Sequence, residues 1–492
     1  MQSLKRVAAV LGLMLIMLPQ SLTYGESATD YLRKGEHARR TGDYSKAVSF
    51  FTWALRSGGP DAHVYFKRAL AYDKLGKYAE ALADYTKAIK LDPNMDTAYN
   101  NRGSVYYKQS QYDKAIADFD SAINLNPAYS LAYYNRGNAN SGKGNVNAAI
   151  KDFTKAIELD PRDPDSHNNR GWALLEKDDA RAAIKDFDRA IELNPMYALA
   201  YYNRGTAKLR EGDAPGALQN LTKAIDLNPK YALAYYKRGN AYFQVKNLDQ
   251  AIKDYNRAVR MIPNHADIYN NRGWAFFRKG NTSQALRDVS KAIALDPELA
   301  TAYVNRGWIR KSVGECPRAI KDFNKALELG DQRADVYILK GKCLLDMNRV
   351  REAISDLGQA LNQGADDPEI LVILGILKET TGDYDGAIDL FRNYISKYPD
   401  SAQGYFDLGV ALGKKGSFPK AIEQLSRAIE LDPGYREAYF KRAMAHEFMG
   451  NRHKAEADLF KARSLPEKKE VGNSLRQPVI PSHVQAILAP KQ

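Results

Sequence analysis

The sequence predicts an all-α protein, a superhelical solenoid of tandem antiparallel helix pairs. The first observation is that an alanine recurs every 34 residues, thirteen times, from Ala47 to Ala455. A period of this length is typical of repeat proteins, in which each unit stacks only on its neighbours. The second observation is a small residue that stands twelve positions before each of these alanines: Gly35, Ala69, Gly103, Gly137, Gly171, Gly205, Gly239, Gly273, Gly307, Gly341, Gly375, Gly409 and Ala443.

Each unit of 34 residues is predicted to form two helices joined by a tight turn. When the recurring small residue is position 8, positions 4, 8 and 11 share a face of the first helix, and positions 20, 24 and 27 share a face of the second. Small residues at 8 and 20 let the backbones approach, and aromatic residues at 4 and 24 fill the space beside them. Glycine at position 15, such as Gly42, marks the turn, and proline at position 32, such as Pro93, ends the second helix. Pro215, Pro317 and Pro419 fall in the first turn of a second helix, where the missing N–H is tolerated.

This pattern resembles the tetratricopeptide repeat family. The family has a bulky aromatic residue at position 4, Gly at 8, Tyr at 11, Ala at 20, Phe or Tyr at 24, Ala at 27 and Pro at 32. The resemblance covers residues 28–469 as thirteen repeats. Repeat 9 lacks the proline, and repeat 11 carries Tyr394 where position 27 should be alanine. We therefore expect the packing around Tyr394 to be adjusted.

The two ends of the chain do not follow the repeat. Lys5 and Arg6 precede an apolar run over residues 7–18, which is short for a membrane span. Residues 1–25 are therefore predicted to be a signal peptide, with an uncleaved anchor as the alternative, and the protein is expected to be exported, either periplasmic or secreted. The mature chain has no other apolar run long enough to span a membrane. Residues 470–492 contain three prolines and are predicted to be a C-terminal tail or an irregular cap.

The chain is basic, with a net charge of +13. Removal of residues 1–25 takes away two positive charges and no negative ones, which leaves +11 and still favours acidic partners. Position 7 is arginine in nine repeats: Arg68, Arg102, Arg136, Arg170, Arg204, Arg238, Arg272, Arg306 and Arg442. In eight of them position 23 is aspartate, and where position 7 becomes leucine the aspartate is also lost. This covariation within one chain favours an internal Arg–Asp pair over a nucleic-acid site.

The resemblance implies that positions 2, 5, 6, 9 and 12 of the first helices line an inner groove. An amide side chain both donates and accepts hydrogen bonds, so it suits the backbone of an extended peptide. The amides at position 6 resemble the asparagine ladder in the superhelical repeats of O-linked N-acetylglucosamine transferase, which grips a peptide backbone. The candidate binding residues are Asn101, Asn135, Asn169, Asn203, Asn271 and Asn305 at position 6, Tyr134, Tyr202 and Tyr236 at position 5, and Trp172, Trp274 and Trp308 at position 9.

Two alternatives to this groove remain open at the level of sequence. The asparagines are either ligand-binding or engaged in bonds between neighbouring helices, and the tryptophans belong either to the groove or to the core. From repeat 10 the ladder position becomes Leu339, Ile373 and Asp407. The C-terminal repeats should therefore bind something different or pack on themselves.

The two cysteines occupy consecutive helices. Cys316 begins the second helix of repeat 9, and Cys343 lies late in the first helix of repeat 10. In an exported protein they form either a disulfide or two buried thiols. Neither a metal-ligand spacing nor a nucleophile pair nor a phosphate loop is apparent, so we expect no cofactor, no metal and no catalysis.

These observations predict an exported scaffold whose groove binds a protein or an extended peptide, in cell-envelope assembly or secretion. The alternatives are a glycan-binding module of an exopolysaccharide export or assembly system, and a regulatory subunit of an enzyme complex. The sequence names no partner.

Overall fold

The computed structural model describes residues 26–466. Within them every regular element is an α-helix, and the helices form thirteen consecutive pairs. The predicted signal peptide and the predicted tail after residue 469 lie outside the described residues. The contacts divide the chain into two compact units, with the division between Ala241 and Tyr242.

The first unit contains repeats 1 to 6 and most of the first helix of repeat 7. Its helices are α1 (Ala28–Arg40), α2 (Tyr44–Gly58), α3 (Ala62–Lys74), α4 (Tyr78–Leu91), α5 (Asp96–Lys108), α6 (Tyr112–Leu125), α7 (Ser130–Gly142), α8 (Val146–Leu159), α9 (Pro164–Glu176), α10 (Ala180–Leu193), α11 (Ala198–Arg210), α12 (Ala214–Leu227) and α13 (Ala232–Gln244), whose last turn falls in the second unit.

The second unit contains the remaining repeats. Its helices are α14 (Leu248–Met261), α15 (Ala266–Arg278), α16 (Thr282–Leu295), α17 (Ala300–Ser312), α18 (Cys316–Glu328), α19 (Ala334–Asp346), α20 (Val350–Asn362), α21 (Pro368–Thr380), α22 (Tyr384–Lys397), α23 (Ala402–Lys414), α24 (Phe418–Leu431), α25 (Arg436–Phe448) and α26 (Arg452–Ser464).

The recurring glycine at position 8 lies against the aromatic or aliphatic residue at position 24. A Cβ atom on Gly103 would come within 2.8 Å of the Phe119 ring, and one on Gly307 within 2.6 Å of the Phe323 ring. Real Cβ atoms do not approach a ring so closely, so a larger residue at either of these two glycines would force the facing ring or the helix to shift. The predicted role of the small residue is confirmed.

The turn between the two helices of a repeat needs a left-handed residue at position 15. Glycine supplies it in nine repeats with φ between 71° and 90°, as at Gly42 and Gly382. Where glycine is missing, a polar residue adopts the same conformation; these residues are Ser110, Asp178, Lys246 and Asn348. The turn is therefore imposed by the packing of the helices even where its residue is not ideal.

The local departures from the repeat are also accommodated. Pro215, Pro317 and Pro419 lie in the first turn of their helices, as predicted. Tyr394 is buried at position 27, and a Cβ atom on Gly404 of the next helix would come within 2.8 Å of its ring. The absence of a side chain at Gly404 therefore makes room for the larger residue.

The arginine at position 7 ties three helices together. In repeat 4, Arg136 donates from Nη2 to Asp152 of the same repeat at 2.6 Å, and from Nη1 to Asp120 of the preceding repeat at 2.6 Å. Burial opposes the charge of Arg136, but the hydrogen bonds to both aspartates outweigh it and raise its pKa. The predicted pair within a repeat is confirmed for Arg68–Asp84, Arg102–Asp118, Arg136–Asp152, Arg170–Asp186, Arg272–Asp288, Arg306–Asp322 and Arg442–Asp458.

Candidate functional site

A groove crosses the first helices of repeats 3 to 7 in the first unit. It has a volume of about 440 Å³. Its charged lining is limited to one carboxylate, Glu176, although the chain as a whole is strongly basic. The groove is lined by Tyr107, Asn138, Ser141, Gly142, Phe153, Asn168, Asn169, Trp172, Glu176, Leu199, Tyr202, Asn203 and Leu233.

Asn169 is the predicted ladder residue that is best placed for a ligand. Its Nδ2 donates to Asn138 Oδ1 at 2.8 Å and to the Tyr134 hydroxyl at 3.2 Å, while its Oδ1 accepts from Asn168 Nδ2 at 3.0 Å. An amide oxygen has two lone pairs, so Asn169 Oδ1 retains one for an N–H in the groove. Asn138 accepts through Oδ1, which leaves its amide nitrogen as the donor on the same wall.

Three other ladder residues tie neighbouring repeats together. Each of them donates from Nδ2 to the asparagine at position 5 of the preceding repeat, and each of these hydrogen bonds is 2.9 Å long. The pairs are Asn135 with Asn100, Asn203 with Asn168, and Asn305 with Asn270. The acceptor asparagines are buried, and so is Asn203. These three residues therefore form bonds between neighbouring helices, which is one of the two alternatives that the sequence left open.

The two remaining ladder residues take part in bonds within their own repeats. Asn101 Oδ1 accepts from Asn100 Nδ2 at 3.2 Å, and Asn271 Oδ1 accepts from Asn270 Nδ2 at 3.5 Å. Asn101 is not part of the groove lining, and Asn271 lies in the second unit. A ligand-binding role for either residue stays a prediction.

Trp172 is the main aromatic side chain of the groove. It is half-buried, and its indole N–H donates to Glu176 Oε1 at 2.8 Å, which fixes the ring against the wall. Tyr202 also lines the groove, although only 7% of it is exposed, and its ring lies 4.8 Å from that of Tyr231. Burial raises the pKa of Tyr202, so its phenol is neutral at physiological pH.

The other two predicted tyrosines pack against neighbouring side chains. Tyr134 packs its ring 6.0 Å from Phe153, and burial raises its pKa. Tyr236 is buried, with the Lys237 Nζ 5.4 Å from the centre of its ring. Neither tyrosine is part of the groove lining, but Tyr134 positions Asn169 through its hydroxyl.

Trp274 and Trp308 lie together in the second unit, whereas Trp172 belongs to the first unit. Their rings meet edge to face at 5.8 Å, and Trp308 is 39% exposed. Trp308 borders a smaller groove of about 310 Å³ whose lining includes Lys311 and Lys342. Leu339, where the polar ladder ends, is largely buried in the hydrophobic core around the two cysteines. After repeat 9 the ladder position therefore packs into the core, which is one of the two outcomes that the sequence predicts for the C-terminal repeats.

The ladder position of repeat 12 holds a buried acid. Asp407 Oδ1 accepts from Gln403 Nε2 at 2.8 Å, and its Oδ2 is buried with no hydrogen-bond partner among the described residues. Gln403 in turn accepts from the Tyr435 hydroxyl at 2.6 Å. Burial, together with the nearby charge of Glu379, raises the pKa of Asp407 to about 8. The carboxyl is therefore mainly protonated at neutral pH.

The structure brings the two cysteines into contact. Cys316 Sγ lies 2.6 Å from Cys343 Sγ, on the consecutive helices α18 and α19, and both residues are buried. Burial raises the pKa of both thiols. The structure has them as thiols, so the disulfide stays a prediction.

Nine of the thirteen groove residues were absent from the predicted site. Six of them occupy positions that the family geometry assigns to the groove, so that geometry could have found them; they are Leu199 and Leu233 at position 2, Asn168 at position 5, Asn138 at position 9, and Tyr107 and Ser141 at position 12. The other three are Gly142 and Glu176 at position 13 and Phe153 at position 24, which that geometry does not assign to the groove.

Chemically, the groove presents amides, aromatic rings and aliphatic side chains. Within residues 26–466 there is no group of three or more His, Cys, Asp or Glu residues arranged to hold a metal ion. In the same part of the chain, no helix has the length and hydropathy needed to cross a membrane.

The comparisons with known proteins identify the family. Tetratricopeptide repeat models match overlapping segments that together cover residues 69–299 and 338–457. The chain belongs to the tetratricopeptide repeat family, a class of repeat proteins that bind other proteins or peptides. A comparison with curated proteins found no match.

Several solved structures are similar to parts or most of the chain. MamA (41-end) from Desulfovibrio magneticus RS-1 is 28% identical over 35% of this chain and 98% of that chain, with a TM-score of 0.34. The APC/C hetero-tetramer Cut9–Hcn1 is 18% identical over 94% and 96%, with a TM-score of 0.40. PilF of Pseudomonas aeruginosa is 22% identical over 42% and 93%, with a TM-score of 0.39.

Proposed function

We propose that this chain is an exported, non-catalytic scaffold whose groove around Trp172 holds an extended peptide segment of a partner protein at the cell envelope. The observation that carries the proposal is the groove itself. It combines Asn138 and Asn169 on one wall with the ring of Trp172, and Glu176 is its sole charged lining residue. The predicted signal peptide in residues 1–25 supports the location.

The amide wall matches the backbone of a peptide. A peptide unit offers one N–H donor and one C=O acceptor, and Asn169 Oδ1 and Asn138 Nδ2 offer the complementary pair. The hydrogen bonds of Asn169 to Tyr134 and Asn168 hold its amide in one orientation before a ligand arrives. Preorganisation of this kind strengthens binding because less side-chain entropy is lost.

The side chains around the amides define the kind of peptide that fits. Trp172 and Tyr107 offer aromatic surface, while Leu199 and Leu233 offer aliphatic surface. A segment with proline or aromatic residues would bury apolar area there, whereas a charged segment would lose hydration and meet only Glu176, which already accepts from the Trp172 indole N–H. We therefore expect the ligand to be uncharged over the residues that enter the groove.

Selection from a phage-displayed library of random dodecapeptides tests the groove. The selected peptides should be enriched in proline and aromatic residues. Replacement of Asn138 and Asn169 together by alanine should weaken binding at least about tenfold, since two hydrogen bonds worth about 1 kcal/mol each are lost. The matched control is Asn147→Ala, at an exposed position on the second helix of the same repeat as Asn138.

The outcome of this selection separates the proposal from its alternatives. Equal binding by the double variant and the control would contradict a peptide-binding groove here. Capture of oligosaccharides without capture of peptides would also contradict it and favour a glycan ligand. Export is tested separately by fusing residues 1–30 to alkaline phosphatase, which is active only outside the cytoplasm, and an inactive fusion would contradict export.

A further inference from the structure

An apolar pocket lies in the C-terminal repeats, in the second unit. It has a volume of about 390 Å³ and lies between the first helices of repeats 12 and 13, α23 and α25. The Phe448 ring stacks on Phe418 with centres 4.8 Å apart and forms one wall. The floor includes Gly413, Ala421 and Ala445.

The pocket exists because position 12 of repeat 12 is glycine. In each of the other twelve repeats this position carries a side chain, such as Leu175, Phe277 or Leu345. At Gly413 a Cβ atom would meet nothing closer than Ala421 Cβ at 3.9 Å, which is an ordinary contact. A larger side chain would therefore fit here, and its absence leaves an open space in the face of the helices.

The rim of the pocket exposes large apolar side chains to solvent. Met444 is 51% exposed and Phe448 is 70% exposed. Contiguous apolar surface of this kind usually marks a surface that something covers. The charged groups at the rim are Lys441 and Lys414, and Lys414 already pairs with Glu379 at 2.7 Å.

We infer that residues 479–488 of the same chain occupy this pocket. Apolar residues are concentrated in this segment of the sequence, whereas residues 467–477 are largely polar. The apolar members of the segment are Val479, Ile480, Val484, Ala486, Ile487 and Leu488.

The linking residues are long enough to reach the pocket. Arg442 pairs with Asp458, and this antiparallel register places the end of α26 opposite the start of α25. The segment must then travel back along α25, whose 13 residues span roughly 20 Å at 1.5 Å per residue. Residues 467–478 extend over roughly 40 Å when fully stretched, which is twice that distance.

A tethered segment also has an advantage over a separate partner. A short tether holds its end at an effective concentration in the millimolar range, so weak apolar contacts are enough to keep the site filled. Occupation by the segment would cover Met444 and Phe448, the exposed apolar side chains of the rim.

Photo-crosslinking of the full chain tests this inference. The photoreactive residue p-benzoylphenylalanine replaces Met444, and isotopically heavy and light chains are mixed before irradiation. The expected product joins position 444 to residues 479–488 within one chain. The control places the same residue at Met196, which is 72% exposed in the first unit. Crosslinks between heavy and light chains, no crosslink to 479–488, or an equal yield from position 196 would overturn the inference.

Two sets of variants make the test independent of the crosslinker. Gly413→Leu fills the pocket and should abolish the crosslink. Ile487→Asp with Leu488→Asp should speed hydrogen exchange at the end of α25 about tenfold, because the covering segment is released. Ser482→Asp with Gln485→Asp adds the same charge at polar positions and should leave that exchange unchanged. Equal exchange in the two charge variants would overturn the inference.

Discussion

Replacement of Asp407 by asparagine should make the protein more stable at neutral pH but not at acidic pH. Asparagine keeps an oxygen that can accept from Gln403, and it removes the ionisable group. The folded protein holds a proton on Asp407 up to a pH of about 8, whereas the unfolded chain releases it near the ordinary value of 3.8. Ionisation therefore favours the unfolded chain, and the stability contributed by Asp407 falls as the pH rises from about 4 to about 8.

The size of this effect follows from the difference between the two pKa values. At pH 7 the unfolded chain gains roughly 4 kcal/mol from ionisation of this one group, at about 1.4 kcal/mol per pH unit above its ordinary pKa. Below pH 4 the gain vanishes. The Asp407→Asn variant should therefore match the parent protein at pH 4 and exceed it by up to that amount at pH 7.

Thermal unfolding followed by circular dichroism between pH 4 and pH 8 measures the difference. The control is Asp389→Asn, because the Asp389 side chain is 78% exposed and should not produce a pH-dependent gap. A gap between Asp407→Asn and the parent that is the same at pH 4 and pH 8 would refute the reasoning, since a buried protonated acid cannot give that result.

Three further predictions concern the scaffold. Arg136→Leu and Asp152→Ala should each lower the unfolding midpoint. A double-mutant cycle should give a coupling energy of about 1.5–3 kcal/mol between the two residues, and additive effects on the unfolding free energy would contradict the pairing. Thiol titration of the denatured, exported protein should find Cys316 and Cys343 oxidised, with reduction costing roughly 3 kcal/mol of stability; two titratable thiols would contradict this. Gly307→Ala should cost about 1–3 kcal/mol in the unfolding free energy because the new methyl group collides with the facing ring, and an unchanged midpoint would count against that contact.

Much of the scaffold could be predicted because the repeat is periodic. The recurring glycine, alanine and proline positions predicted the helix pairs, their turns and their close approach. The pairing of Arg136 with Asp152 could be inferred because position 7 and position 23 vary together within the chain. The second contact of Arg136, to Asp120 of the preceding repeat, was missed because it depends on how adjacent repeats stack.

The candidate site was only partly predictable for a similar reason. Asn169, Asn203, Tyr202 and Trp172 were expected in the groove and line it. Asn135 and Asn203 share position 6 with Asn169, but the residue at position 5 of the preceding repeat is asparagine for both, and the amides bond to each other. Whether an amide faces solvent or its neighbour depends on the residue beside it, which the repeat pattern does not record.

Affinity for a selected peptide, measured by isothermal titration, tests the central claim most directly. The groove around Trp172 predicts that Trp172→Ala loses at least about tenfold in affinity, because truncation of a central aromatic residue typically costs more than 1 kcal/mol. Trp308→Ala removes an equally large side chain from the other unit and should change the affinity less than about twofold. Equal affinity of Trp172→Ala and the parent protein, or a larger loss in Trp308→Ala, would contradict the proposal.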